Sequence, residues 1–393
     1  MISVDEAISI VEKNVIPQEK SCTLSLSAAA GYVLFNNVLA PIDMPPFRQS
    51  AMDGYALNLH ALNSYRIIEE VKAGDSHQPV LQKGEAARIF TGAPVPDSAN
   101  AIVIQEHVKI QKSTLSLDQH PSLDDHIRPM GEQIKKGHLA LKKGSVLTSA
   151  GLGYLTSLGI TDVEVYPKPK ITVIVTGNEL ARAGEPLSFG QIYESNALML
   201  TQALQQAGYQ NFKVAQVPDS LEATREILEE EITRCDLLLI SGGISVGAYD
   251  FVGRALDEIK VKQLFYKVNQ KPGKPLYFGK LGHTYVFALP GNPAAALTCF
   301  YIYVRRVLAK LSGQVDFTPL KISAKVNSAI TKKGGRAQFL KADFNGERVT
   351  ILEGQNSSML YTFAVANALV YIPAQKTEIE IDEAVEVILL PLN

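Results

Sequence analysis

The chain has 393 residues, of which 46% are hydrophobic and 20% charged, enough apolar material for two to three globular cores at about 150 residues each. Its 38 basic and 40 acidic side chains leave a formal charge of −2. That balance excludes a general electrostatic pull toward nucleic acid or an acidic membrane surface, so a charged ligand must be held by local clusters. Asp5 and Glu6 stand where a signal peptide would carry positive charge, and no apolar run reaches the ~18 residues of a membrane helix. Cys22, Cys235 and Cys299 lie far apart without metal-type spacing. These features predict a cytoplasmic protein with reduced, core-packed thiols.

Taken in chain order, Ser3 and Glu6 form a capping box, and Ala7, Ile8, Val11 and Val15 follow at helical spacing until Pro17. Residues 21–42 read as a second helix and a short strand, and Pro41, Pro45 and Pro46 mark a domain edge. Short β-runs then occupy 51–141, among them Ile67–Val71, Ala87–Phe90 and Ala101–Val108. Residues 147–165 read as helical, then extended. The segment Pro45–Ala56 is an apolar, rigid loop with Asp53 in an Asp-Gly turn.

From Lys170 the pattern changes. Ile171–Thr176 is an unbroken β-branched run, as expected of a strand buried on both faces. Helical and strand patterns then alternate: a helix from Asn196 to Ala207, the strand Phe212–Val217, a helix capped by Asp219 with Glu222, and the strand Asp236–Ile240. A helix near Val252–Ile259, the strand Thr284–Leu289 and a long helix from Pro293 to Leu311 complete the series. This alternation predicts parallel βαβ units in a doubly wound α/β domain. Residues beyond Pro319 give short β-runs only, which suggests a small sheet or barrel. The expected division is 1–43 with 142–168 as a discontinuous domain, 44–141 as a small mostly-β domain, 169–316 as the α/β domain and 317–393 as the C-terminal β domain.

Open parallel sheets bind ligands beyond the carboxyl ends of their strands, where glycine turns and helix N-termini present N–H groups to phosphate. Three turns stand at such positions: Thr176-Gly177-Asn178-Glu179, Ser241–Gly247 and Pro290-Gly291-Asn292-Pro293. The second offers Ser241, Gly242, Gly243, Ser245 and Gly247. The third places Asn292 at an N-cap and Pro293 at the first helical position. Neither a dinucleotide-binding GxGxxG nor a P-loop pattern is present. Lys267, Lys271 and Lys274 project from a loop stiffened by Pro272, Gly273 and Pro275, suited to clamping phosphate. Glu179, Asp219 and Asp250 at strand ends suggest a metal-dependent phosphoryl or phosphoanhydride site, with Mg²⁺ the common ion beside phosphate, although Asp219 and Asp250 also suit helix caps.

These segments in this order resemble the molybdopterin molybdenumtransferases, the MoeA family. The matching runs are SAMDGYA (50–56), RIFTGAPVP (88–96), TGNEL (176–180), QIYESN (191–196) and SGGISVG (241–247). KPGKP (271–275), LPGNP (289–293), GRAQFL (335–340) and QNSSML (355–360) continue it almost to the end of the chain. The resemblance implies a four-domain homodimeric subunit that inserts molybdate into adenylylated molybdopterin with Mg²⁺, releasing AMP and finished molybdenum cofactor. It implies partners in the preceding adenylyltransferase and in recipient molybdoenzymes. Position by position it makes Asp53 and Thr91 functional residues that reach the partner subunit's site. Glu179, Asp219 and Asp250 become the cleft acids, and Lys267, Lys271 and Lys274 its basic loop. Pro290 and Pro293 form a rigid floor, and Arg336 and Ser357 the oxyanion contacts. The chain departs from the family pattern at Arg48-Gln49, Asn178, Ala248 and Ala294-Ala295. A non-catalytic molybdopterin carrier or scaffold is the alternative from another class, and the preceding adenylyltransferase a third.

Overall fold

The computed structural model describes residues 1–244 and 250–391; Ser245, Gly247 and Ala248 therefore lie outside the described residues. The chain divides into two compact units. One comprises Met1–Cys22, Gly31–Val33 and Tyr166–Asn393, the other Thr23–Ala30 and Leu34–Val165.

In the first unit a sheet is built from β1 (Ile171–Thr176), β2 (Phe212–Val217), β3 (Leu237–Ser241), β4 (Lys262–Tyr266), β5 (Tyr277–Leu281) and β6 (Thr284–Leu289), in the order β2-β1-β3-β6-β5-β4. The four strands expected from sequence pair in parallel. Strands β4 and β5 were not expected, and they pair antiparallel, so the sheet is mixed rather than wholly parallel. Their runs, KQLFY and YFGKL, mix lysine with aromatics and lack the β-branched block that marks β1. Helices flanking the sheet include α1 (Val4–Asn14), α2 (Asn196–Gln206), α3 (Leu221–Glu231) and α4 (Phe251–Glu258). Alternation along β1 sends Ile171 and Val173 into a core with Val4, Val11, Leu200 and Leu204. Ile174 joins Leu228, Val252 and Leu256 on the other face. Helices thus cover both faces, and the fold is doubly wound. Helix α1 starts at the expected capping box, with Glu6 N–H donating to Ser3 Oγ at 3.1 Å and Ser3 N–H to Glu6 Oε2 at 2.7 Å.

The long helix after β6 runs as α-helix over Pro293–Cys299, widens to a π-turn at Phe300–Val304 and resumes at Arg305–Leu311. Buried Arg306 donates its Nε–H to the Ile302 carbonyl inside the widened segment, at 3.1 Å, and its Nη1 to Glu12 Oε1 at 2.8 Å.

The C-terminal β-runs close on themselves. Strands β7 (Lys321–Val326), β8 (Ala337–Phe344), β9 (Arg348–Ile351), β10 (Ala368–Ile372) and β11 (Ala384–Leu389) pair in the ring β8-β9-β7-β11-β10-β8. This is the barrel that the sequence suggested. A short helix, Leu360–Val365, lies between β9 and β10 and was not anticipated.

The second unit holds a six-stranded sheet in the order Ala101–Ile104, Gly54–Leu57, Glu85–Ile89, Ser64–Val71, Thr114–Leu117, Val108–Gln111. Gly54–Leu57, expected as part of a rigid loop, is a fully buried strand in this sheet. A Cβ on Gly54 would lie 2.0 Å from the Val103 carbonyl oxygen, so only glycine lets the neighbouring strand approach. The helix expected within 21–42 is reduced to a single 3₁₀ turn at Leu26–Ala28. Ser25 and Ser27 bond to each other through their hydroxyls at 3.0 Å, and such local hydroxyl bonding competes with helix. The flanking strand residues Val38 and Leu39 pair with Leu141 and Leu139. No helix among the described residues is long and apolar enough to cross a membrane.

Candidate functional site

A cleft of about 530 Å³ opens beyond the carboxyl ends of β1, β3 and β6, lined by all three glycine turns. Its shape follows from close backbone stacking. A Cβ on Gly242 (φ +98°) would sit 2.5 Å from the Thr176 carbonyl oxygen, and one on Gly243 (φ +59°) 2.6 Å from Val252 Cγ2. Any side chain there would push the second turn off the first and off α4.

Asn196, at the start of α2, bridges the turns. Its Nδ2 donates to Ser241 Oγ at 2.9 Å and to the Gly291 carbonyl at 2.7 Å. Asn196 was read from sequence only as a helix start, within the QIYESN match. Glu194, also unanticipated as a site residue, accepts from the Ala197 N–H at 2.9 Å and lines the cleft. Two buried polar atoms on the cleft wall, Thr176 Oγ1 and Asn196 Oδ1, have no hydrogen-bond partner among the described residues. Buried polar groups are almost always hydrogen-bonded, and these two are available to a ligand.

Of the three expected acids, Glu179 and Asp219 line the cleft. Asp219 does not cap α3. Ser220 does, accepting from the Ala223 N–H, so the Asp219 carboxylate is not spent on that cap. Asn178 Oδ1 accepts the Asp219 N–H at 3.1 Å, so the neutral residue at this departure from the family pattern fixes its acidic neighbour.

Asp250 is instead the N-cap of α4. Its Oδ1 accepts the Gly253 N–H at 2.9 Å and its Oδ2 the Tyr266 hydroxyl at 3.2 Å. Burial, with the Asp250 charge adding, pushes the Tyr266 hydroxyl up to about 12, so the phenol remains a donor. Asp250 is not among the cleft-lining side chains, and no three Asp, Glu, His or Cys converge among the described residues. Two of the three expected acids, Glu179 and Asp219, thus line the cleft, and the third, Asp250, caps α4. Mg²⁺ is commonly held by one or two carboxylates together with ligand phosphates and water, and Glu179 and Asp219 fit that mode.

The basic loop carries exposed Lys271 and Lys274 and half-buried Lys267, whose Nζ lies 4.7 Å from the Tyr266 ring centroid. Pro275 brings this loop to the cleft wall. Gln270 and Lys271 pair with Ala337 and Gln338 of β8, and Asn269 Nδ2 donates to the Gly335 carbonyl at 2.9 Å. The loop is thus tied to the turn bearing exposed Arg336. Asn292 occupies its predicted N-cap position, with Pro290 and Pro293 flanking the turn on the cleft wall. Its Nδ2 turns away from the helix to donate to Ser357 Oγ at 2.9 Å.

Asp53 and Thr91 fold together in the other unit. Asp53 Oδ1 accepts the Thr91 N–H at 2.7 Å and the Thr91 hydroxyl at 2.8 Å. The backbone bond from Thr91, followed by its hydroxyl, holds the Asp53 carboxyl below the usual carboxylate range. Arg48 and Gln49, the other departure near this motif, make structural bonds to the carbonyls of Ala99 (2.7 Å) and Gly92 (3.1 Å).

Three family descriptions match along the chain: MoeA N-terminal region (domain I and II) over 2–159, probable molybdopterin binding domain over 172–310, and MoeA C-terminal region (domain IV) over 323–390. The molybdopterin molybdenumtransferase of Haemophilus influenzae is 33% identical over 98% of both chains. Molybdopterin molybdenumtransferase 2 of Mycobacterium tuberculosis is 34% identical over 91% of this chain and 92% of its own. The crystal structure of the molybdopterin biosynthesis MoeA protein from Pyrococcus horikoshii superposes with a TM-score of 0.86 at 28% identity, covering 99% of this chain and 100% of that one. With relatives matched from end to end and all three regions in order, this chain belongs to the MoeA family.

Proposed function

We propose that the chain is a molybdopterin molybdenumtransferase that inserts molybdate into adenylylated molybdopterin with Mg²⁺, releasing AMP and finished molybdenum cofactor. The observation that carries this reading is the cleft itself, where stacked glycine turns, two carboxylates and two polar atoms without a partner among the described residues line one space. The turns around Gly242, Gly243 and Gly291 bind the phosphate groups through backbone N–H donors. Ser245 and Gly247 belong to the same glycine-rich motif. Glu179 and Asp219 hold Mg²⁺, which when bound offsets the charge of the phosphoanhydride and polarises it. Lys267, Lys271 and Lys274 offset the remaining charge. Arg336 suits the incoming oxyanion through its forked donors, and Ser357 serves the same ligand. Asp53 and Thr91 act on the cleft of a second subunit in a homodimer, and the enzyme works in the cytoplasm between an adenylyltransferase and recipient molybdoenzymes.

The test is AMP formation from adenylylated molybdopterin, molybdate and Mg²⁺. Wild type should release AMP, and Glu179→Gln or Asp219→Asn should slow release roughly 10–100-fold. Bound ligand with no AMP above the blank would instead establish a carrier.

A further inference from the structure

Strand β8 carries an anomaly in its alternation. Ala337 and Phe339 face the core beneath the α/β layer, while Leu340 and Ala342 face the barrel interior. Period two places residue 341 in the row of Ala337 and Phe339, yet the residue is a lysine that is only 3% exposed. It does not reach out to water. Lys341 Nζ donates to the carbonyls of Gly354 at 2.8 Å, Asn356 at 3.2 Å and Met359 at 3.1 Å, which spends the three donors of an ammonium.

Those carbonyls belong to one irregular loop, 353–359, whose backbone has no sheet or helix to satisfy it. The backbone of Lys341 holds the same loop through Gln355. Its N–H donates to Gln355 Oε1 at 2.9 Å and its carbonyl accepts from Gln355 Nε2 at 2.8 Å. Thr362 Oγ1 contacts the carbonyls of Glu353 and Gly354, each at 3.0 Å. The far side of the loop meets the cleft. Ser357 Oγ accepts from Asn292, the Ser357 carbonyl accepts the Ala295 N–H at 3.3 Å, and Ser358 lines the cleft wall.

We propose that Lys341 is a positioning residue for oxyanion binding, acting through Ser357 by fixing the 353–359 loop against the Pro290–Pro293 turn. It does not touch the ligand. Its buried cation gathers three loop carbonyls to one point, and this sets the height of Ser357 over the turn. The inference rests on the transferase reading for the identity of the oxyanion, and on hydrogen-bond geometry alone for the cradle.

The full-length protein tests it through two readouts: molybdate binding by calorimetry, and amide hydrogen exchange across 353–359. Lys341→Met should weaken molybdate binding on the order of tenfold and speed exchange in the loop. Protection in β1, β3 and β6, and affinity for AMP, should be unchanged. Lys341→Arg, which keeps the charge, should restore part of both. In turnover the KM for molybdate should rise with kcat retained. If Lys341→Met does not fold, Thr362→Val, which removes the one hydroxyl donor shared by two carbonyls of the same loop, gives the same pair of readouts. Unchanged exchange and affinity in these variants, or slackened exchange with wild-type affinity, overturns the positioning role. A wild-type chain that binds no molybdate sinks the transferase reading, whereas the exchange data still decide whether Lys341 holds the loop.

Discussion

Asp250 illustrates how much a single carboxylate's surroundings decide. By type and position it was read as a metal ligand, with a helix cap as the alternative. It does form the cap, because α4 begins at Phe251 and the first-turn N–H of Gly253 needs an acceptor. Asp250→Asn keeps an acceptor for that N–H, so AMP release at limiting Mg²⁺ should stay near wild type and the melting temperature should barely move. Asp250→Ala should cost about 1 kcal/mol of stability. A loss of Mg²⁺-dependent turnover in the Asn variant, with melting unchanged, would return Asp250 to the metal set. Asn196 marks the limit of reading at this scale. Its partners Ser241 and Gly291 lie 45 and 95 positions away, and nothing local to residue 196 announces them. Likewise nothing singled out Lys341 in the sequence, because the carbonyls that bury it come from a loop beyond the next strand.

At the scale of elements, legibility tracked how one-sided the local pattern was. The strands Ile171–Thr176, Phe212–Val217 and Thr284–Leu289 were bounded correctly, since continuous apolar runs between turn signals leave little choice of period. The β4–β5 pair escaped notice because its strands are short and mixed, and the 3₁₀ turn at Leu26–Ala28 because its helical composition is undone by serine hydroxyls. The glycine turns were recognisable as turns, but not as a stack, since stacking depends on how β1, β3 and β6 register. That stack makes a sharp prediction. Gly243→Ala carries both a left-handed φ and a collision with Val252 and Thr176. Gly334→Ala has φ +85° but open space around it. The second should cost about 1–2 kcal/mol with phosphate-ligand binding intact. The first should cost more and abolish that binding, as thermal melting and AMP titration would register. Equal behaviour of the two variants would mean that the stack does not shape the cleft.

Across the whole molecule, the boundaries were the hardest feature to see. Helix α1 packs in the α/β core, whereas residues 23–30 and 34–39 belong with the unit ending at Val165. The chain changes unit inside its first forty residues, where no composition shift marks the change. Asp53 and Thr91 therefore fold in one unit and the glycine cleft in the other. If a homodimer completes each cleft with Asp53 of the partner subunit, two strongly impaired variants should rescue one another. Mixing and reassociating Asp53→Asn with Asp219→Asn chains puts half of the dimers in mixed form with one intact site of two, recovering about a quarter of wild-type AMP release. Subunits that complete their own sites would recover nothing.

The thiols bear on the same chemistry. Cys299 is wholly buried, 2.6 Å from where a Cβ of Gly273 would stand, and burial lifts its thiol to about 12 and that of Cys235 to about 11. No cysteine lines the cleft among the described residues. Thiolate, not thiol, is the metal-binding form of cysteine, so the two buried thiols are poor ligands for a sulfur-seeking metal. On the proposed reading, molybdenum delivered to the cleft would meet no competing cysteine among the described residues that line it.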